Sequence, residues 1–308
     1  MRLLNGGCAF CEFGTRRRRS YVAQELVLKG LKRATEKYKQ SVSNDDASGK
    51  FLGTSNVHFA HRFSLTPIGT IAHEWYMGIA AITQDYRRAN LVALEKWIAC
   101  FGPGVLGISL TDTFGTEQFL RCFKQQCPDT GLTYAEIFTG VRQDSGDPET
   151  YVRKIQSFYN ELQRESGRTA GRKVIVFSDS LNVDRCLKYK ACADEAHFPS
   201  SFGVGTFFTS AYIGPNLFSV TLLTHLDTDD FSQKSCSSQK SKPLNIVIKL
   251  SSAGGWPAVK ISDNIGKNTG DKKVVEEVKQ ELGYNERAWL GEEQGINMGD
   301  ERNRWGQA

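Results

Sequence analysis

Short apolar runs that end in polar clusters recur along the chain and predict strands. These runs are residues 10–20, where a strand leads through a glycine turn into arginines, 51–59, where a strand passes into a short helix, 104–110, 135–141, 174–177 and 201–206. Between them lie stretches with apolar residues three and four positions apart, which predict helices over 21–38, 69–81, 85–100, 115–126, 149–166 and 181–192. Alternating strands and helices build a parallel sheet, either open or closed into a barrel.

The C-terminal part does not follow this repeat. Residues 245–250 and 257–261 alternate apolar and polar positions around Ala253, Gly254 and Gly255, which predicts a β-hairpin. A short amphipathic helix is predicted over 272–282, and the tail from Glu292 is polar. We therefore predict an α/β core over 1–242 and a partial, antiparallel second subdomain over 243–308.

Loops that follow the strands of a βα barrel lie on one face and form its active site. The polar clusters at these positions are residues 12–19, 54–56, 112–113, 142–147, 178–180 and 203–206. We expect all of them to converge on one mouth.

Composition narrows the class of protein. The chain has 308 residues, 40% of them hydrophobic, and a formal charge of +5, which suits a small anion about as well as nucleic acid. It has 8 cysteines, and Cys8 and Cys11 have no second pair at zinc-site spacing. No signal peptide or bilayer-spanning stretch is evident. We expect a soluble protein of the cytoplasm or nucleus that binds neither membrane nor nucleic acid.

Several strand-end residues have the chemistry of an anion site. Arg16 and Arg142 can grip a carboxylate or phosphate, although any one arginine of the run 16–19 can equally lie on a solvated face. Gly203 and Gly205 let backbone N–H groups approach a phosphate. We predict no metal cage made of protein ligands alone, but Asp144 or Asp179 can hold Mg²⁺ together with substrate phosphates.

Other residues have competing interpretations. His73, near a predicted helix start, is either a structural histidine or a nucleophile that accepts a phosphoryl group. Asp147 before Pro148 is typical of a helix N-cap. His58 and His61 lack further metal ligands, so zinc is not predicted.

Taken together, the strand-end motifs resemble the nicotinate phosphoribosyltransferase family, particularly its fungal members. The matching segments are CAFCEFGTRRRRS (8–20), FLGTSNVHFA (51–60), PIGTIAHEW (67–75), LTDTFGT (110–116), GVRQDSGDP (140–148), VIVFSDSLN (174–182), FGVGT (202–206) and the stretch from Lys242 to Asp271. The resemblance implies an irregular βα barrel of the type II phosphoribosyltransferase kind. It also implies synthesis of nicotinate mononucleotide and pyrophosphate from nicotinate and 5-phosphoribosyl 1-pyrophosphate, coupled to ATP hydrolysis, with Mg²⁺ as cofactor and a homodimer as the expected assembly.

The resemblance also implies a role for each matched position. His73 corresponds to the family's phosphorylated histidine, and Arg142 and Asp144 stand beside it in the catalytic group. Thr70, Arg142 and Arg16 are expected to bind nicotinate. The remaining positions divide between binding of the phosphoribosyl donor, namely Ser178, Asp179, Gly203, Gly205 and Thr206, and lining of the pocket, namely Glu12, Phe13, Gly14 and Ser55.

Two departures from the family pattern leave other functions open. Family members carry a long segment before the CAFCEFG region, and residues 210–228 interrupt the family's run from FGVGT to Asp229, so we expect a displaced start and a retained intron. The alternatives are an inactive anion-binding fragment, a nicotinamide-specific or quinolinate-type relative, and a nucleic-acid patch at 16–19.

Overall fold

The computed structural model of the protein describes residues 1–42, 49–210, 246, 248–264 and 267–284. The expected insertion from residue 211 onward, residues 245 and 247 of the predicted strand 245–250 and the polar tail from Glu292 lie outside the described residues.

The described part alternates strands and helices, as the sequence pattern predicts. The helices are α1 (Arg2–Asn5), α2 (Tyr21–Ser41), α3 (Val57–Phe63), α4 (His73–Thr83), α5 (Ala89–Phe101), α6 (Thr116–Phe123), α7 (Tyr134–Ile137), α8 (Pro148–Ser166), α9 (Val183–Glu195), α10 (Thr206–Thr209) and α11 (Lys272–Leu282). The strands are β1 (Ala9–Glu12), β2 (Lys50–Thr54), β3 (Ile108–Leu110), β4 (Gly140–Gln143), β5 (Val174–Phe177), β6 (Ser200–Val204), β7 (Ser252–Ala253) and β8 (Trp256–Pro257).

The first six strands form one parallel sheet in the order β2-β1-β6-β5-β4-β3. The irregular segment 66–71 lies between the two edge strands. Ile68 N donates to Thr54 O of β2 at 3.0 Å, and Ile71 N donates to Ile108 O of β3 at 3.1 Å. This segment therefore bridges the two edges, and the sheet closes into the irregular barrel that the family resemblance implied.

A close approach of two backbones makes this closure possible. A Cβ atom at Gly53 would lie 2.0 Å from Thr66 O, and the φ angle of Gly53 is 141°. Only glycine combines that space with that backbone conformation.

Two of the predicted strands are shorter than the sequence suggested. The apolar run 135–141 was predicted as one strand, which is wrong over its first part, because Tyr134–Ile137 form α7. The side chains of Thr133 and Glu136 each bond the other's backbone N–H and so start this helix. The run 104–110 forms a strand only from Ile108, since Gly104 and Leu106 both adopt positive φ angles.

One large hydrophobic core lies between the sheet and its helices. Phe177 of β5 and Phe202 of β6 stack at 5.5 Å between ring centroids. From outside, α8 buries one apolar face, whose residues are Tyr151, Val152, Ile155, Tyr159 and Leu162. None of the helices in the described residues is long and apolar enough to span a bilayer.

A short C-terminal hairpin forms, but its predicted strands 245–250 and 257–261 are wrong in extent, because the described residues 246, 248–250 and 258–259 form no strand. β7 and β8 pair antiparallel through two residues each, and Ala258, just after them, packs against Met77 and Ala81 of α4. Residues 258–264 then cross the mouth of the barrel, where Ile261 N donates to Thr113 O at 2.8 Å. The division into two subdomains at residue 242 stays a prediction.

Candidate active site

Arg142 is the centre of a hydrogen-bonded group at the carboxyl ends of the strands. It is the third residue of β4. Its Nε donates to Ser178 Oγ at 2.7 Å, its Nη1 to Thr70 Oγ1 at 2.9 Å and its Nη2 to Asp144 Oδ1 at 2.6 Å. The guanidinium carbon lies 5.8 Å from the centre of the Phe13 ring. Three acceptors and an aromatic face thus fix the plane of the guanidinium.

Asp144 connects this arginine to His73. Its Oδ1 accepts from Arg142 and from Ser178 Oγ, and its Oδ2 lies 3.1 Å from His73 Nε2. Burial favours the neutral acid, but the Arg142 guanidinium and the imidazole outweigh burial and hold the pKa of Asp144 well below its ordinary value. The carboxylate is therefore ionised at neutral pH.

His73 is the first residue of α4 and is 3% exposed. Its Nδ1 lies 3.0 Å from Thr113 Oγ1. Because the Asp144 carboxylate can only accept, we assign the proton to Nε2, and Nδ1 then accepts from the Thr113 hydroxyl. Burial lowers the pKa of His73 despite the opposing charges of Asp112 and Asp144, so the imidazole is neutral at neutral pH.

A second buried carboxylate, Asp112, faces the same imidazole. Its Oδ1 lies 3.8 Å from His73 Nε2, and its Oδ2 accepts from Ser145 Oγ at 2.6 Å and lies 3.4 Å from Lys260 Nζ. Burial is the largest influence and tends to raise the pKa of Asp112, but the Lys260 ammonium, the His73 ring and the hydrogen bond from Ser145 together outweigh it, and the pKa lies below its ordinary value.

The glycines at the end of β6 pack against Phe13, the residue whose ring also lies beside Arg142. A Cβ atom at Gly203 would lie 2.6 Å from the Phe13 ring, and one at Gly205 would lie 3.1 Å from Phe13 O. Thr206 begins the short helix α10 just beyond Gly205. The glycines predicted to bind phosphate and the arginine predicted to bind nicotinate are therefore both neighbours of Phe13.

Glu12 does not line an open pocket. Its side chain is fully buried and accepts from Gly14 N, from Gln24 Nε2 at 2.8 Å and from Thr54 Oγ1 at 2.6 Å. Gln24 in turn donates to Thr15 Oγ1 at 2.9 Å. Glu12 thus connects the loop that follows β1 to α2 and β2 by hydrogen bonds, and this loop leads into the arginines.

Three other predicted residues lie away from the Arg142 group. Arg16 and Ser55 are exposed, and Arg16 Nη1 lies 3.4 Å from Ile246 O. The Asp179 carboxylate pairs with Lys267 Nζ at 3.0 Å. Among the described residues, none of these three side chains forms a hydrogen bond or ion pair with His73 or Arg142.

Sequence reasoning assigned no role to Thr113 and Lys260, which both contact this cluster. Thr113 lies in the LTDTFGT motif, so its position beside Asp112 was a usable signal. Lys260 follows the hairpin, far from the barrel motifs in sequence, and nothing local distinguishes it from a surface lysine.

One group of side chains in the described residues has the ligand types of a cation site. The ligand atoms of His73, Asp112 and Asp144 all lie within 4.8 Å of one another. Asp112 Oδ1 is buried and has no hydrogen-bond partner there. Carboxylate oxygens suit Mg²⁺, so Asp112 and Asp144 are compatible with the predicted cofactor, whereas the protonated Nε2 of His73 is not a ligand.

Comparison with known proteins identifies the family. The model of the nicotinate phosphoribosyltransferase (NAPRTase) family matches residues 8–220 and 224–286. The chain belongs to the nicotinate phosphoribosyltransferase family. A nicotinate phosphoribosyltransferase of Saccharomyces cerevisiae is 42% identical over 303 residues, which are 98% of this chain and 61% of the relative.

Two further comparisons agree with this membership. A family relative from Schizosaccharomyces pombe is 48% identical over 282 residues, which are 91% of this chain and 60% of the relative. A crystal structure from S. cerevisiae aligns with a TM-score of 0.74 at 42% identity and covers 92% of this chain and 60% of that one. The chain thus spans about 60% of the length of these nicotinate phosphoribosyltransferase relatives.

Proposed function

We propose that this chain carries the catalytic barrel of a nicotinate phosphoribosyltransferase and contributes to NAD salvage. The reaction transfers the phosphoribosyl group of 5-phosphoribosyl 1-pyrophosphate to nicotinate and is coupled to ATP hydrolysis. The observation that carries the proposal is the connected group Arg142–Asp144–His73 at the carboxyl ends of the strands. Family membership supports it, since S. cerevisiae has a relative named for this activity.

Arg142 and Thr70 are proposed to bind nicotinate. Three of the five N–H groups of Arg142 have partners among the described residues, which leaves two for a substrate carboxylate. The guanidinium is already held flat by Asp144 and Ser178, so little side-chain freedom is lost on binding. Phe13 below the guanidinium offers a face on which a pyridine ring can stack.

The phosphoribosyl donor is proposed to bind at the glycine turn and the ends of β5 and β6. Gly203, Gly205 and Thr206 offer backbone N–H groups and a hydroxyl to phosphate oxygens, while Ser178 and Asp179 lie on the neighbouring loop. Asp144, and Asp112 behind it, would hold Mg²⁺. When bound, the cation would neutralise charge that develops on the leaving pyrophosphate.

His73 is proposed to accept a phosphoryl group from ATP. A neutral imidazole has a nucleophilic lone pair, and the low pKa of His73 keeps the ring neutral at neutral pH. Both ring nitrogens have partners, so the ring must exchange one hydrogen bond for the phosphoryl group. The added negative charge would then change how the mouth binds the donor, which couples ATP use to synthesis.

A substrate panel tests the proposal. The purified chain is incubated with 5-phosphoribosyl 1-pyrophosphate, Mg²⁺ and ATP and with nicotinate, nicotinamide or quinolinate, and the mononucleotides are separated by chromatography. Of the three bases, we expect only nicotinate to give a mononucleotide. We also expect ATP to increase the rate at which this product forms. Donor binding in calorimetry without turnover would support the inactive-fragment alternative, and faster turnover of nicotinamide would support the nicotinamide-specific alternative. Sedimentation of the same sample tests the expected homodimer.

A further inference from the structure

A buried lysine from outside the barrel repeat reaches the histidine cluster. Lys260 is 5% exposed, and its Nζ lies 3.4 Å from Asp112 Oδ2. Its backbone is paired in both directions with Thr269, and the next residue, Ile261, donates its N–H to Thr113 O at 2.8 Å. Lysine is rarely buried without a charged partner, so this position is maintained by the ion pair with Asp112.

Asp112 depends on that ammonium group. Asp112 is 1% exposed, and its Oδ2 accepts a hydrogen bond from the Ser145 hydroxyl. The other oxygen, Oδ1, has no hydrogen-bond partner in the described residues and lies 3.8 Å from His73 Nε2. A buried carboxylate without a neighbouring cation is strongly unfavourable, so the Lys260 ammonium, 3.4 Å from Oδ2, holds the Asp112 side chain in its place beside the imidazole.

We propose that Lys260 is a positioning residue that acts through Asp112: it fixes the Asp112 carboxylate, and the charge of this carboxylate, 3.8 Å from His73 Nε2, helps the hydrogen bonds of Thr113 and Asp144 to orient the His73 ring for phosphoryl transfer. The inference rests on the proposed function. It assigns to the C-terminal segment 258–264 a part in the chemistry at the barrel mouth, in addition to its packing there.

A double-mutant cycle separates this role from a merely structural tie. The variants are Lys260→Met, Asp112→Asn and the double variant, and Lys273→Met is the matched control because Lys273 is an exposed lysine of α11 that pairs with Glu277. Two quantities are measured: kcat and KM for ATP-coupled synthesis, and the ¹⁵N shifts of the His73 ring. The chain has 5 histidines, so the ring signals are few and a His73→Gln variant assigns them.

We expect Lys260→Met to lower kcat on the order of tenfold with little change in the KM of nicotinate, and to shift the His73 ring signals. In the Asp112→Asn background the same change should have almost no further effect on either quantity. Equal losses in both backgrounds, or unmoved His73 signals, would overturn the inference. Lys273→Met should match the parent chain.

The test still decides the question if a variant is unstable or the parent chain is inactive. Lys260→Met leaves the buried Asp112 carboxylate without its ion-pair partner and can unfold the protein. In that case the double variant, which lacks the Asp112 charge, is compared with Asp112→Asn alone. If the parent chain shows no turnover, the proposed function fails, while the ring signals still decide whether Lys260 orients His73.

Discussion

At the scale of single residues, the neighbours of each group decide which groups around His73 are ionised. Arg142 and Lys260 each lie beside one of the two carboxylates that face the imidazole. Both carboxylates are therefore ionised, whereas burial keeps the histidine neutral. The site thus contains a neutral nucleophile between two anions, each of which has its own cation.

The neutral state of His73 predicts a pH dependence of stability. The pKa of His73 in the folded protein lies below its ordinary value of 6.5. Below about pH 6.5 the unfolded chain therefore binds a proton that the folded ring does not, and the free energy of unfolding falls by up to about 1.4 kcal/mol per pH unit. Asp112 and Asp144 act at lower pH, because their pKa values lie below the ordinary 3.8.

Urea unfolding between pH 7.5 and 5 of the parent chain and His73→Gln measures this effect. As the pH falls, we expect the free energy of unfolding of the parent chain to fall more steeply than that of His73→Gln. His61→Gln, at an exposed position of α3, should keep the parent slope. Identical slopes for His73→Gln and the parent would contradict a neutral buried ring.

Arg142 predicts a second effect at this scale. Lysine keeps the charge but cannot bond Ser178, Thr70 and Asp144 in one plane. We expect Arg142→Lys to lower kcat/KM for nicotinate roughly 10- to 100-fold, the equivalent of losing one charged hydrogen bond. Steady-state kinetics measures it, with Arg153→Lys on the exposed face of α8 as the control. An unchanged kcat/KM would show that the charge alone suffices.

At the scale of elements, the fit between β6 and the loop after β1 controls where the arginine lies. Gly203 of β6 leaves room for the Phe13 ring, and this ring lies under Arg142. A methyl group at position 203 would clash with the Phe13 ring, which would have to move. The packing of two neighbouring strand ends thus affects the surroundings of Arg142.

Two glycine substitutions should consequently have opposite signs. We expect Gly203→Ala to lower the free energy of unfolding by about 1–3 kcal/mol, because a ring must move in a packed site. Gly30→Ala within α2 meets no atom within 4 Å and should raise it by about 0.5–1 kcal/mol. Urea unfolding measures both. A neutral Gly203→Ala would mean that the Phe13 site is loosely packed.

At the scale of the whole molecule, residues 258–264 fasten the C-terminal segment across the barrel mouth. The Asp263 carboxylate accepts from Thr116 N at 2.9 Å and from Thr116 Oγ1 at 2.6 Å, and it thereby caps α6. Asn264 Oδ1 accepts from Gly146 N at 2.7 Å, in the loop after β4. The segment therefore connects the loops that follow two neighbouring strands.

Loss of this connection should be visible by hydrogen exchange. Asp263→Ala removes the cap of α6, which is expected to lower the free energy of unfolding by about 1 kcal/mol. We expect faster amide exchange in 111–116 and 258–264 and unchanged exchange in β5, measured by mass spectrometry of peptides. Exchange that changed equally everywhere would indicate global destabilisation and would contradict a local connection.

Local patterns in the sequence determined the elements and the polar strand ends. β5 was predicted with its observed bounds, and α8 to within one residue, because Asp147 and Pro148 form a strong helix start. Asp144 and Ser178 lie directly after strands, and the direction of parallel strands brings such positions together, so periodicity and spacing were sufficient for them. Thr70 and His73 follow no strand directly, and their place in the site was expected only from the family resemblance.

Only the tertiary structure decided how the barrel closes and which residues, distant in sequence, complete the group of side chains around His73. The closing segment 66–71 has no strand periodicity, and its hydrogen bonds to β2 and β3 depend on where those strands lie. Lys260 meets Asp112 because the chain returns across the mouth after the hairpin. Local preferences act over a few residues, whereas contacts between distant residues depend on the path of the whole chain, and the sequence near Lys260 alone contains no record of that path.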